Sequence, residues 1–196
     1  MRKRTLLLIA AGAVSVLVFS GAALALPNAI VNGDFQTGSL APWTTFTTSG
    51  GTINGGDVQL FDTTGSGPSL AAHFKVGEVS FNGLYEGGGI SQAFAGVPQT
   101  LSADVAAQGG PVFTNGECGR FELMLDGVTV ASHTFGSCAA NAIVRWHLSA
   151  VIPTGSAANG PHTVAIRITR PFTTGSTPEQ YVDNVKVTPK LIRVYP

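Results

Sequence analysis

Phe121-Glu122-Leu123-Met124-Leu125-Asp126-Gly127-Val128-Thr129-Val130 decides the fold. Phe121, Leu123 and Leu125 alternate with Glu122 and Met124, so they share one face of an extended strand. Asp126-Gly127 then supplies the strongest short-range hairpin signal, because a type I′ turn needs positive φ at both central residues. The stretch predicts an antiparallel hairpin with one buried face. The same period of two recurs on both sides of it. Leu70, Ala72, Phe74 and Val76 form one stripe, Val144, Trp146, Leu148, Ala150 and Ile152 another, and Val164, Ile166 and Ile168 a third. Turn signals separate them: Gly50-Gly51, Asn54-Gly55-Gly56, Gly65-Ser66-Gly67-Pro68, Gly109-Gly110-Pro111 and Asn159-Gly160-Pro161. No sustained helical period occurs beyond the first residues. The pattern predicts an all-β, two-sheet antiparallel β-sandwich of about ten strands.

The first 25 residues read as an export leader. Arg2, Lys3 and Arg4 precede an uncharged apolar run from Leu6 to Phe19, and Ala23-Leu24-Ala25 fits the small-x-small cleavage rule. Cleavage would place the mature start at Leu26. The rival reading is an uncleaved anchor, since Thr5 to Leu26 carries no charge and is long enough to span a bilayer. Once the leader is gone, eight Lys and Arg face 11 Asp and Glu. A weakly acidic, sparsely charged chain has no electrostatic footprint for nucleic acid. The expectation is a secreted or cell-surface protein, a monomer with no membrane contact after leader cleavage. Residues 26–190 form the single domain and residues 191–196 a short tail.

Cys118 and Cys138 are the two cysteines, and in an exported chain an isolated pair reads as a disulfide. A two-residue turn at Asp126-Gly127 sets Cys118 opposite Phe135, with Cys138 three residues beyond. A small bulge or wider loop would then bring the sulfurs together. Neither cysteine has a His or Cys at zinc-finger spacing.

Two further segments frame the domain. Ile30-Val31-Asn32-Gly33-Asp34-Phe35-Gln36-Thr37-Gly38-Ser39-Leu40-Ala41-Pro42-Trp43 stands near the start, and Gln180-Tyr181-Val182-Asp183-Asn184-Val185-Lys186-Val187 near the end. With Gly89-Ile90-Ser91-Gln92-Ala93-Phe94, Val97-Pro98, the Asp126-Gly127 hairpin and Gly160-Pro161-His162-Thr163-Val164, they resemble the CenC-type carbohydrate-binding module. The likeness runs from Ile30 to Thr188. It implies a galactose-binding-like jelly roll, with the two quoted segments as first and last strands. It also implies a structural Ca²⁺ in many members and a sugar-binding groove.

The positions that match the family's calcium ligands are Gln36, where an acidic residue is usual, and Asp183. Asp183 has the parity of Val185 and Val187, so it is expected on the core side of its strand, where a carboxylate needs a partner or a cation. It either serves calcium, with Gln36 and the weaker candidate Asp57, or caps backbone N–H groups in the turn at residues 32–38. For a glycan, Phe81, Tyr85, Phe113 and Phe172 are stacking candidates on loops, while Trp43 and Trp146 read as core. Arg120, Glu122, Arg145, His147 and Arg167 alternate with apolar stripes and would line a groove if their faces share one sheet. Otherwise they form a solvated surface of cross-strand ion pairs. Gln92 is a ligand candidate or a buried, hydrogen-bonded amide. No nucleophile elbow, zincin motif or P-loop is present. The sequence thus points to a non-catalytic module for a polysaccharide or cell-surface glycan. The second reading is a structural or adhesive surface protein whose partners are other surface proteins.

Overall fold

The computed structural model describes residues 28–111, 117–173 and 178–190. The leader, its cleavage site, Phe113 and the tail lie outside them. Ten strands run in chain order: β1 Thr44–Thr47, β2 Gly51–Phe61, β3 Ser69–Glu78, β4 Glu86–Gly96, β5 Pro98–Gln108, β6 Glu117–Leu125, β7 Val128–Ser137, β8 Ile143–Val151, β9 Gly160–Arg170 and β10 Glu179–Pro189. They form two five-stranded antiparallel sheets. The first has the order β1-β4-β9-β6-β7 and the second β2-β3-β10-β5-β8. This is the two-sheet antiparallel sandwich that the alternation predicts, in the jelly-roll form that the resemblance implies.

The stripes meet between the sheets. Phe121, Leu123, Val164, Ile166 and Ile168 from the first sheet pack against Phe74, Val76, Leu101, Val105 and Val182 from the second, all fully buried. The β6–β7 turn is the predicted one, with Asp126 at φ 50° and Gly127 at φ 79°. Its register differs by one residue. A bulge between Leu123 and Met124 sets Gly119, not Cys118, opposite Phe135. Cys118 and Cys138 form the disulfide, with Cα atoms 5.7 Å apart.

Two expectations are corrected here. Residues 30–43 are not a strand but a series of turns and bends, with Asn32 and Phe35 at φ 52° and 54°. Phe35 and Trp43 plug the core from this segment, and the Trp43 Nε1–H donates to the Asn32 carbonyl at 3.0 Å. The segment is tied to β10 instead. The Val185 N–H donates to the Gly33 carbonyl at 2.7 Å, and Asn28 bonds the Val185 carbonyl and the Val187 N–H. Gly33 is obligatory at this contact, since a Cβ there would lie 2.1 Å from the Val185 oxygen. Trp146 is the second correction. It has core parity, but β8 is an edge strand, so the indole stays 50% exposed and stacks on His133 of β7 at 4.1 Å.

A third interaction fixes the far end of the sandwich. His162 is 8% exposed, and both its ring nitrogens face acceptors: Nδ1 lies 2.7 Å from Asp126 Oδ2 and Nε2 lies 2.8 Å from the Ala158 carbonyl. The Asp126 hydrogen bond, helped by Ala158, holds the imidazole pKa above its usual value. A raised histidine pKa contributes stability below the unfolded value, near 6.5, that is lost as pH rises through the folded value. Melting curves from pH 6 to 9 are therefore expected to show a loss of stability that His162→Gln abolishes. An identical pH slope in both proteins would contradict this.

Candidate functional site

The outer face of the second sheet collects most of the polar and aromatic chemistry. Gln180 and Val182 point into the core, so Tyr181 and Asp183 point out. Beside them stand Asp57, Gln59 and Phe61 from β2, His73 and Lys75 from β3, Asp104 from β5, and Arg145 and His147 from β8. Phe61 lies parallel on Tyr181 at 3.6 Å between centroids and 5° between planes. With Ala71 and Ala106 this makes a small apolar plate on an otherwise polar surface.

Hydrogen bonds pre-set the side chains around that plate. His73 Nδ1 lies 2.7 Å from Asp57 Oδ1, and Lys75 Nζ 2.8 Å from Glu179 Oε1. The Tyr181 hydroxyl donates to Glu179 Oε2 at 2.8 Å. On the far side, His147 Nδ1 lies 2.6 Å from Asp104 Oδ1, and the Asn184 amide donates to Asp104 Oδ2 at 2.9 Å. The β2–β3 loop folds back over this part of the face. Arg145 holds it, donating to the Asp62 carbonyl at 2.8 Å and to its carboxylate at 3.2 Å. Between loop and sheet an open pocket of about 240 Å³ is lined by Thr63, Thr64, Asp104, Arg145, Trp146 and His147. A larger pocket of about 410 Å³ lies between β1 and β2, lined by Thr45, Phe46, Thr47, Ile53, Gly55 and Gly56. It carries no charged or amide side chain to orient a ligand, so the smaller one is the better candidate.

The predicted site residues do not converge. Of the ligand candidates only Arg145 and His147, neighbours on β8, lie on this face. Arg120, Glu122 and Arg167 are on the outer face of the opposite sheet, so the shared groove does not form. They make a closed triad instead, with Arg167 Nε 2.7 Å and Arg120 Nη2 3.1 Å from the two Glu122 oxygens. Burial pushes the Glu122 pKa up, but the two arginines and the Thr129 hydroxyl outweigh it and hold the carboxyl below its usual range. Gln92 is buried and pairs both ways with Val31, accepting from its N–H at 2.8 Å and donating to its carbonyl at 2.9 Å. Phe81 and Tyr85 lie on the β3–β4 loop at one end of the sandwich. Phe81 stacks on Phe172 at 5.9 Å, and the Tyr85 hydroxyl donates to Glu117 at 2.5 Å.

The expected side of Asp183 is also corrected. A bulge at Asn184, φ 50°, breaks the parity between Asp183 and Val185. Its carboxylate accepts from the Ser69 hydroxyl at 2.6 Å, the Thr63 hydroxyl at 3.3 Å and the Asn184 N–H at 2.7 Å. It therefore caps its own strand and the overlying loop, not the 32–38 turn. Burial pushes its pKa above the carboxylate norm, and nearby Asp104 adds to the effect. Calcium needs several ionised or carbonyl oxygens. Gln36 uses its amide N–H on the Asp34 and Leu70 carbonyls, Asp57 lies two strands away on His73, and among the described residues no group of three acidic, His or Cys side chains is placed to hold a metal ion. This donor set fits a hydrogen-bonded acid rather than a calcium ion.

No family model matches the sequence, and no curated protein matches it. Solved structures do. A carbohydrate-binding module from Caldicellulosiruptor saccharolyticus, CBM27-1 in complex with mannohexaose, superposes with TM-score 0.56 at 16% identity, over 81% of this chain and 96% of that one. The fold is shared with carbohydrate-binding modules. A second such module, TmCBM27, described for mannan recognition, matches at TM-score 0.47 and 13% identity, over 78% and 91% of the two chains. A Stig cyclase from Fischerella sp. TAU matches at TM-score 0.45 and 16% identity, over 83% and 95%. A shared fold does not assign a function, which has to be argued from the site.

Among the residues the sequence reading passed over, Phe61, Tyr181 and Asp104 matter most. Phe61 and Tyr181 have matching parity on β2 and β10, but only the strand order, which no local pattern carries, makes them neighbours across β3.

Proposed function

We propose that this chain is an exported, non-catalytic glycan-binding module of the CenC-like kind, acting as a monomer and taking a polysaccharide or cell-surface glycan on the outer face of the second sheet. One observation carries the reading: the Phe61–Tyr181 plate sits on the same face as two pre-set Asp–His pairs, Asp57–His73 and Asp104–His147. The outer face of Phe61, backed by the buried Tyr181 ring, meets the C–H face of a pyranose, and the Asp57 carboxylate on one side and the Asp104–His147 pair on the other accept and donate hydrogen bonds to its hydroxyls. The fold shared with a mannohexaose-bound module supports the same reading. The disulfide fits an oxidising, extracellular setting.

Catalysis is not part of the proposal. Asp104 and Asp183 are cross-strand neighbours, yet Asp183 is 1% exposed and held by two hydroxyls. A glycosidase needs both carboxylates at the scissile bond.

A structural or adhesive role is the second reading, and a specific observation favours it. The β2–β3 loop covers part of the face, and both Arg145 and Lys75 are engaged in internal ion pairs. A glycan array and an insoluble-polysaccharide pull-down, each with and without Ca²⁺, separate the two. Retention on one glycan class, the same in both buffers, is expected. No retention on plant, microbial or host glycans would overturn the glycan proposal and leave the adhesive one.

A further inference from the structure

Seven residues between β3 and β4 stand apart from the rest of the surface. In Val79-Ser80-Phe81-Asn82-Gly83-Leu84-Tyr85 the four large apolar side chains are 66%, 67%, 57% and 42% exposed. No residue of the stretch is charged. Exposed apolar residues scattered singly need no explanation, but four in one loop do.

At the tip of the loop Gly83 has φ +77°, and a Cβ there would point into open space. Its base is fixed. The Glu78 N–H donates to the Phe172 carbonyl and the Val79 N–H to the Gly50 carbonyl, both at 2.9 Å, and Phe81 rests on Phe172. Two further N–H groups within it are bonded. The Asn82 N–H donates to Glu78 Oε2 at 2.7 Å and the Leu84 N–H to Asn82 Oδ1 at 3.0 Å. Behind the tip stand Glu86, next in the chain, and Glu117 on the Tyr85 hydroxyl, with Arg120 offsetting part of the Glu117 charge there. Carboxylates beside aromatic rings complement a quaternary ammonium and repel anionic headgroups. They would also repel the same tip of a second copy.

We propose that the Val79–Tyr85 loop is a finger that inserts reversibly into a zwitterionic, choline-headed lipid surface. This is a peripheral contact, and it revises the expectation that the exported domain touches no membrane. Apolar side chains enter the headgroup boundary while Tyr85 keeps its hydroxyl at the polar level. A single finger of this size gives weak, reversible binding rather than anchoring.

The test is co-sedimentation of the purified full-length product with phosphatidylcholine vesicles. Wild type is expected to partition to the vesicles. F81D/L84D should reduce the partition coefficient by roughly 10-fold or more, because it places two charges at the insertion depth. V128D, a control at an equally exposed apolar position on the β6–β7 turn, should leave it unchanged. Phosphatidylserine mixed into the vesicles should weaken binding. Four results would overturn the proposal: no binding by wild type, equal binding by F81D/L84D, stronger binding to anionic vesicles, or self-association that F81D/L84D abolishes. Loss of glycan retention in F81D/L84D would instead move the sugar to this loop and overturn it equally.

Discussion

Replacing Cys118 and Cys138 together by serine is expected to destabilise the folded protein by about 3 kcal/mol. The two residues are 20 apart in sequence, and chain entropy for a loop of that length sets the magnitude. The placement matters as much as the length. Cys138 follows β7 at the point where the chain leaves the first sheet for the second. The crossing loop is held there by the Gly109 N–H to the Ala142 carbonyl and the Asn141 N–H to the Gly109 carbonyl. The bridge thus pins β6 to the crossing between sheets, and both sulfurs are buried in the core. For a domain of this size the loss corresponds to a fall in Tm of roughly 10 °C. Thermal melting with and without reductant gives the same comparison without mutation. Curves that coincide within a degree would show that the bridge does not stabilise the fold.

Gln180→Leu is expected to cost a similar amount, about 3 kcal/mol, from a side chain that a hydrophobicity reading would call a mistake. Gln180 is fully buried. Its Oε1 accepts the Val76 N–H at 3.1 Å, and its Nε2 donates to the Cys118 carbonyl at 3.2 Å. The amide therefore links β3 and β6, one strand from each sheet, through the core. The β10–β3 ladder runs only from Val182 to Gln180, and the side chain carries the pairing one step further to Val76. Leucine keeps the volume and removes both bonds, leaving a main-chain donor and acceptor buried without them. Each such group costs about 1–3 kcal/mol. Gln99→Leu, at an exposed position on β5, is the control and should shift stability by roughly 0.5 kcal/mol or less. Equal effects in the two variants, by denaturant titration, would show that the inter-sheet link carries no weight.

The hairpin at Asp126-Gly127 was legible because its signal is local: period-two alternation and a turn pair that needs positive φ. The core stripes were legible for the same reason. What failed was everything that a single extra residue or a distant strand decides. The bulge at Asn184 turned Asp183 from the core side to the outer face, and the bulge after Leu123 moved Cys118 off Phe135. A one-residue slip reverses every side chain beyond it, and no composition signal marks these two. Arg120, Glu122, Arg145 and Arg167 were found as polar residues opposite apolar stripes. Which sheet each belonged to depends on the order β2-β3-β10-β5-β8, a long-range property. Trp146 kept its predicted parity and still reached solvent, because edge strands bury only one flank. Nothing local marks Phe61, because it shares the parity of the polar Asp57 and Gln59 and not that of Val58 and Leu60.

The central claim is that a glycan lies against the Phe61–Tyr181 plate. The most direct measurement is the affinity of the protein for its retained glycan, by titration calorimetry, in wild type, Phe61→Ala and Phe81→Ala. The account predicts that Phe61→Ala weakens binding by roughly 10-fold or more, since the plate supplies the stacking contact, and that Phe81→Ala leaves it unchanged. Unaltered affinity in Phe61→Ala would contradict the assignment of the face, and an effect confined to Phe81→Ala would place the sugar at the end of the sandwich.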